Sequence, residues 1–518
     1  SAQLEERRTS VTRLQAATAT LRDATRRRRG LTTTIGVFLL VRVIFWISGG
    51  RYRWWGVVFS WQVLDVKQLA AQPIQSIAAL HIQPPAFNLF IALVVDISPF
   101  SNGITFQVLY FFFALVTVIG VWLLLDELGF SPVINTIGAC IVAASPVLLS
   151  YENLPTYEVP VAMLLVLSAW LCVRYVKERT FRLFLAFVIT TTLVVLTRAL
   201  FHPLWLIVVL GALLWFARPA FEWRRCAAAL AIPLVLVGGW MLKNEIRFGD
   251  PSMTSWLGMN LTRGVVAPMP KHDVEAMIRQ GTLSKAAAVP PFSVYKSYEP
   301  YFGKCHSSSH NPLLALPEKD HTGLSNFNAQ CFIPVYNDAM SNALAALRHR
   351  PQRYLSTRWA PTVAHFEDDY GPLQIGTNGI GTHGIWALDA LQYVYKPMLV
   401  SPKMHIDESG WMFPLFPGYG FPFSFMLLFS TIFLTTRGAI GAWRAVRKRA
   451  NAADAGWAFV GFTVLYLTIV SITTEFGENA RFRTMADPLL LGLGAAALAA
   501  QVQLAVRALR SRRVSAST

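Results

Sequence analysis

Ten long apolar runs govern what this chain can become. They fall at 31–48, 104–125, 132–149, 159–176, 181–197, 203–217, 226–243, 416–436, 455–472 and 486–506. About 18 or more such residues cross the hydrocarbon of a bilayer as a helix, because a helix pairs its own backbone donors and acceptors there. The expected fold is an all-α polytopic membrane protein of about ten transmembrane helices, with additional juxtamembrane helices. Hydrophobic residues make up 54% of the chain and charged residues 14%. That balance excludes a disordered chain, whose apolar surface would collapse or insert.

A formal charge of +17 points first to an anionic partner such as nucleic acid. Its position argues otherwise. Segments 1–30, 174–182, 218–225, 437–454 and 507–513, with Asp126 and Glu127 counted against them, hold +16 of it. In a ten-span arrangement all of these fall on one side, which the positive-inside preference makes cytoplasmic. The expectation is therefore a multi-pass protein of the cytoplasmic (inner) membrane with both termini inside, in contact with membrane lipids and with no nucleic-acid partner. The first span lacks a small-residue cleavage site and continues as Gly49-Gly50-Arg51-Tyr52-Arg53, which reads as a retained helix.

This sidedness divides the chain. Residues 1–30 are a basic cytoplasmic tail, and 31–243 an N-terminal transmembrane module with outer loops at 49–103 and 150–158. Residues 244–415 form a small extracytoplasmic cap, 416–506 the C-terminal transmembrane helices, and 507–518 a second basic tail. The cap is too long for a structureless loop. Pro84 to Ile97 is apolar but short for a span and is expected to lie along the interface. Cys305 and Cys331 both fall in the cap, where disulfides are permitted, and spacing alone leaves a bridge or two thiols open. Cys140, Cys172 and Cys226 lie in spans and read as packing residues.

Acids near a membrane surface are costly unless used or paired. Asp65 closes Trp61-Gln62-Val63-Leu64-Asp65 in the first outer loop, followed by His81-Ile82-Gln83-Pro84-Pro85-Ala86-Phe87-Asn88. The double proline fixes an extended approach to a helix and aims His81 and Gln83 along one wall. The plainer alternative is a proline-capped interfacial helix with incidental polar residues. Tyr151-Glu152 and Glu158 occupy the next outer turn, so Asp65 and Glu152 are candidates to converge. One would take a proton from a hydroxyl, and the other would position the acceptor or hold a divalent cation. Outer cations are few: Arg198 beside His202, Lys243 beside Asn244, and Arg481 and Arg483 after Glu478-Asn479. Arginine forks suit phosphate oxygens, although snorkelling and a Glu478–Arg481 helix-end pair are the ordinary alternatives.

In these residues the sequence resembles the GT-C class of integral-membrane glycosyltransferases, most of all bacterial relatives of the protein O-mannosyltransferases and of the lipid A aminoarabinose transferase. The likeness rests on Trp61 to Asp65 with His81 to Asn88, and on Tyr151-Glu152-Asn153. It rests also on Lys243-Asn244 through Trp256 to Asn260, and on Gly477 to Arg483 with Asp487-Pro488. It implies inverting transfer from a polyprenyl-phosphate sugar to a hydroxyl of a glycan, glycolipid or protein, on the extracytoplasmic face. Asp65 would be the general base, and Glu152 would position the acceptor or assist a metal. Arg198, Lys243, Arg481 and Arg483 would hold the phosphate. Val66 follows Asp65 where the protein O-mannosyltransferases carry a second acid, and Gly56 follows Trp54-Trp55 where oligosaccharyltransferases have Asp.

Two other classes fit a polytopic chain. A transporter or lipid flippase with a large outer cap should show mid-span charges and paired broken helices. Arg42 is the main mid-span charge, and no internal repeat is visible. A structural assembly factor would have no need of Asp65.

Overall fold

The computed structural model describes residues 2–50, 52–218, 223–307, 309–366, 403–406, 412–415 and 421–517. Most of the far end of the expected cap, at 367–402 and 407–411, lies outside the described residues, as does 416–420 at the start of the eighth apolar run. Helix falls on each of the ten runs. Among the described residues, seven helices are long and apolar enough to cross a membrane: Ala24–Ile47, Asn102–Glu127, Glu158–Glu178, Arg224–Phe248, Phe425–Val446, Ala452–Thr474 and Asp487–Leu509. An eighth arises if Pro132–Ala143 and Pro146–Glu152, bent by 54° at their junction, count as one span. Phe181–Thr197 and Pro203–Phe216 are shorter apolar helices of 17 and 14 residues.

Local chemistry sets the ends of these elements. Proline opens the helices at Pro73, Pro85, Pro132, Pro146 and Pro203, where its fixed φ and missing N–H cost nothing. Asn451 and Asp454 form a reciprocal capping box at the start of Ala452–Thr474. The 54° bend has its own cause: Ser145 leaves the helix, caps the next turn by accepting from Leu148 N–H at 3.3 Å, and precedes Pro146. The chain thereby re-aims its last turn, which carries Tyr151 and Glu152.

The bundle closes through small residues. A Cβ on Gly461 would sit 2.5 Å from the Leu434 carbonyl and 2.8 Å from the Gly438 Cα, so Phe421–Val446 and Ala452–Thr474 touch backbone to backbone. Gly138 and Gly492 make a second close crossing, with a Gly138 Cβ 2.6 Å from the Gly492 carbonyl. Outward faces remain apolar at Leu40, Val108, Ile207 and Leu236, while Phe38, Tyr110 and Trp205 fill the interior. A helix apolar all round fits lipid on one side and packing on the other.

Residues 249–366 fold onto one end of this bundle. Arg358 donates to the carbonyls of Ile472 (2.9 Å) and Gly264, Tyr354 Oη donates to Thr473 O at 2.8 Å, and His365 Nδ1 lies 3.0 Å from Ser471 Oγ. Within the segment, Leu257–Val265 packs along Phe332–His349, joined by Thr262 Oγ1 donating to Ala339 O at 2.8 Å. Cys305 and Cys331 are bridged, with Cα atoms 5.3 Å apart. One small strand pair accompanies the helices. Lys403–Ile406 and Met412–Leu415 form an antiparallel hairpin with Lys403 opposite Leu415, its backbone bonds met between strands.

Candidate active site

Asp65 sits where a short 3₁₀ turn, Trp54–Phe59, hands over to the helix Val66–Ala71. It is that helix's N-cap: Oδ1 accepts from Lys67 N–H at 3.1 Å and Gln68 N–H at 3.3 Å. Asn88, in the first turn of Pro85–Ile97, fixes the approach. Its Oδ1 accepts from Leu64 N–H at 2.9 Å and its Nδ2 donates to Gln62 O at 3.1 Å, with the side chain fully buried.

A loop from far along the chain completes the centre. Asn326 N–H donates to Pro317 O at 2.8 Å and Lys319 N–H to Leu324 O at 2.7 Å, and Gly323 takes φ +66° at the tip. The tip brings His321 onto Asp65, 256 residues away in sequence. Its N–H donates to Oδ2 at 3.1 Å and its Nδ1 lies 2.9 Å from Oδ1. Lys319, buried beneath, donates from Nζ to Ser60 O at 2.7 Å. Burial alone would raise the Asp65 carboxyl. The N–H groups of His321 and Gln68 and the His321 ring outweigh it and hold the group below its ordinary value. Burial pushes the Lys319 ammonium down to about 8, against the pull of Asp65.

His81 plays a different part from the one its sequence suggests. Its ring is buried, with Nε2 2.9 Å from Asn328 O and Nδ1 2.7 Å from Ser255 Oγ. A carbonyl only accepts, so Nε2 carries the proton and Nδ1 accepts from the serine. Burial, reinforced by Lys243, pushes the ring down to about 3. Both nitrogens are occupied, and His81 ties residue 81 to the 255 and 328 loops. Gln83 is buried nearby in the chain, and Asn260 lies half-buried on the Leu257–Val265 helix. Trp256 donates from Nε1 to Tyr336 Oη at 3.1 Å, its ring edge-on to Phe292 and Phe327.

The cations singled out in the sequence are mostly claimed. Arg481 Nε donates to Glu158 Oε1 at 2.7 Å, with Glu478 3.6 Å away. Arg483 pairs with Asp487 at 2.8 Å and donates to the His365 carbonyl, deep in the packing. Lys243 donates to Leu80 O and lies 3.6 Å over the Trp240 ring. Asn244 donates to Ser252 O at 2.7 Å, and Asn479 to Ser471 O at 2.7 Å. His202 caps Pro203–Phe216 by accepting from Leu204 N–H at 3.2 Å. Arg198 differs. It is 6% exposed, stacked 4.4 Å over Tyr157 and 5.1 Å over Phe482, and its Nε has no hydrogen-bond partner among the described residues.

Two of these clusters connect and one stands apart. Asn88 holds the Asp65 loop, while its neighbour Phe87 meets the Tyr157 ring at 5.7 Å, under Arg198 and Arg481. One helical turn thus spans from the carboxylate centre to the arginines. Glu152 is engaged elsewhere. Arg42 donates to it from Nε at 3.0 Å and from Nη2 at 2.6 Å, both side chains buried, beside a cavity of about 340 Å³ lined by Leu39, Val43, Trp46 and Phe111. No hydrogen bond or ion pair joins Glu152 to the Asp65 centre among the described residues.

No protein-family model matches this chain, and no curated protein matches it. Among solved structures it is similar to an archaeal oligosaccharyltransferase, AglB from Archaeoglobus fulgidus, solved in complex with an inhibitory peptide and a dolichol-phosphate. The identity is 14% and the TM-score 0.35 over 92% of this chain, which spans about half (52%) of that one. A likeness at that score assigns neither fold nor activity.

Sequence reasoning missed His321 and Lys319. The tip Lys319-Asp320-His321-Thr322-Gly323 reads as a turn, and nothing local ties it to residue 65. A divalent ion fits poorly at either acid. Asp65 gives its oxygens to backbone N–H groups and His321, and Glu152 gives its own to Arg42. Among the described residues no three His, Cys, Asp or Glu side chains gather as ligands. What the arrangement offers chemically is a proton acceptor beside aromatic surface, with cations one helical turn away.

Proposed function

We propose that this chain is an inverting, integral-membrane glycosyltransferase that moves a sugar from a polyprenyl-phosphate carrier to an acceptor hydroxyl on the extracytoplasmic face. One observation carries the reading: an ionised carboxylate–imidazole centre is packed through Asn88, Phe87 and Tyr157 to a buried arginine whose Nε is unpaired. In the reaction the acceptor O–H gives its proton to the Asp65 centre. Its oxygen bonds to the anomeric carbon as the carbon–phosphate oxygen bond breaks, and the electron pair leaves on the polyprenyl phosphate. Arg198 and Arg481 hold that growing negative charge, and a preorganised cation in a site poor in water favours such a leaving group. Glu152 keeps Arg42 and the bent 132–152 element in place.

Placement follows the basic segments: ten spans, with the two short apolar helices crossing as well, the 1–30 and 507–518 tails inside, and residues 244–415 outside as a cap. The Cys305–Cys331 bridge supports an oxidising compartment for that cap. The acceptor is a glycan, glycolipid or protein hydroxyl.

A second reading, transport or lipid flipping, draws on the buried Arg42–Glu152 pair at a bent helix beside the 340 Å³ cavity. Reconstitution separates the two. Transfer of label from a radioactive polyprenyl-phosphate hexose or pentose, lost in Asp65→Asn and kept in part by Glu152→Gln, supports the transferase. Movement of the intact lipid between leaflets without transfer supports the other.

A further inference from the structure

We infer that the atom taking the acceptor's proton is Nε2 of His321, with Asp65 as its positioning residue. This deepens, and rests on, the glycosyl-transfer reading.

Asp65 is enclosed, with Oδ1 crowded by donors and only Oδ2 keeping an acceptor site. A carboxylate offers about four lone-pair sites. Here Oδ1 accepts from Lys67 N–H, Gln68 N–H and the His321 ring at 3.1, 3.3 and 2.9 Å, and Oδ2 accepts from His321 N–H at 3.1 Å. The side chain is 3% exposed. An incoming hydroxyl would have to displace a helix cap or the loop tip to reach it.

The imidazole is open where the carboxylate is closed. An ionised carboxylate only accepts, so the ring proton resides on Nδ1 and the lone pair on Nε2. Nε2 makes no hydrogen bond among the described residues, and the His321 side chain is 34% exposed. The same carboxylate fixes the tautomer, orients the ring, and stabilises the imidazolium that forms when Nε2 takes the proton. Backbone geometry enforces this, since the His321 N–H and ring both bind Asp65 and Lys319 anchors the loop on Ser60. Trp61, 48% exposed and packed on Phe292 and Phe327 at 6.3 and 5.3 Å, lies four residues before Asp65 as adjoining apolar surface. The step balances: the hydroxyl proton passes to Nε2, the alkoxide electrons form the new glycosidic bond, the phosphate departs with the old pair, and the imidazolium returns its proton to water.

Two measurements on the full chain in lipid nanodiscs test this. The first needs no substrate: labelling with diethyl pyrocarbonate, read by peptide mass spectrometry, reports each imidazole's free nitrogen. His321 should label faster than the exposed His306 and His310. In Asp65→Ala, which removes the acceptor that holds the proton on Nδ1 and orients the ring, that advantage should be lost. Equal labelling of the three, unchanged in Asp65→Ala, overturns the inference. The second uses radioactive polyprenyl-phosphate hexose and pentose. His321→Asn keeps a donor toward Asp65 but has no basic nitrogen. It should lose about 10²–10⁴-fold in kcat with KM unchanged, and added imidazole should restore part of the turnover of His321→Ala. Wild-type turnover by His321→Asn overturns the inference. A wild-type chain inert to every such donor overturns the transferase reading instead, and the labelling still decides the dyad.

Discussion

At the scale of single residues, position in the hydrogen-bond network separates side chains that the sequence presents as equals. His81 follows Asp65 in the same stretch of chain, whereas His321 reaches Asp65 only in the fold. One has both nitrogens occupied in the core, and the other keeps a nitrogen for solvent. Acid should expose the difference. The His81 ring stays neutral in the folded chain down to about 3 but protonates in the unfolded chain below its ordinary 6.5. Between those values the unfolded state binds the extra proton, so stability falls as pH falls. Asp65 adds a further loss only below the ordinary carboxylate value of 3.8, where its depressed carboxyl begins to give up its contribution. Thermal unfolding between pH 7 and 4 should therefore slope steeply in the wild type and less in His81→Gln, which starts lower because two buried bonds are weakened. Asp65→Ala removes a helix cap worth about 1 kcal/mol and should melt below Asp65→Asn, which keeps an acceptor oxygen.

Helices and loops were legible to different degrees, for reasons that lie in their chemistry. Long apolar runs specify membrane helices because only a helix pairs its whole backbone within one segment in lipid, and helix falls on every run among the described residues. Breaks within a run were not legible, since Ser145-Pro146 also suits a helix start, and only packing decides whether the helix before it ends. The Asp65 centre was half visible: the acid and Asn88 stood out locally, while His321 arrives from a loop closed by the Cys305–Cys331 bridge. That bridge encloses both Lys319 and His321, so it ties the loop to the site. A Cys305→Ser, Cys331→Ser double variant should lose about 2–4 kcal/mol from the segment 249–366 and slow transfer while its helix content by circular dichroism stays unchanged. Gly461→Val tests the bundle. Its side chain meets backbone on the neighbouring helix, so about 1–3 kcal/mol of overpacking should lower the melting temperature.

Over the whole molecule, the proposed topology assigns most of the charge of +17 to orientation, and the proposed reaction assigns Arg198 and Arg481 to a phosphate. Cysteines placed singly in 174–182 and 437–454 should react with a membrane-impermeant maleimide only in inside-out vesicles. One at Asp320, in the tip of the site loop, should react only from the opposite face. Labelling of all three from one side would refute the proposed sidedness. The chemistry has a more direct test. Purified wild-type chain and Asp65→Asn, both folded in nanodiscs, are given radioactive polyprenyl-phosphate sugars and a membrane extract as acceptor. Label should move from the lipid to a more polar product with the wild type, and Asp65→Asn should be slower by at least about a hundredfold. Equal transfer by the two proteins would contradict the assignment of the Asp65 centre as the seat of the reaction.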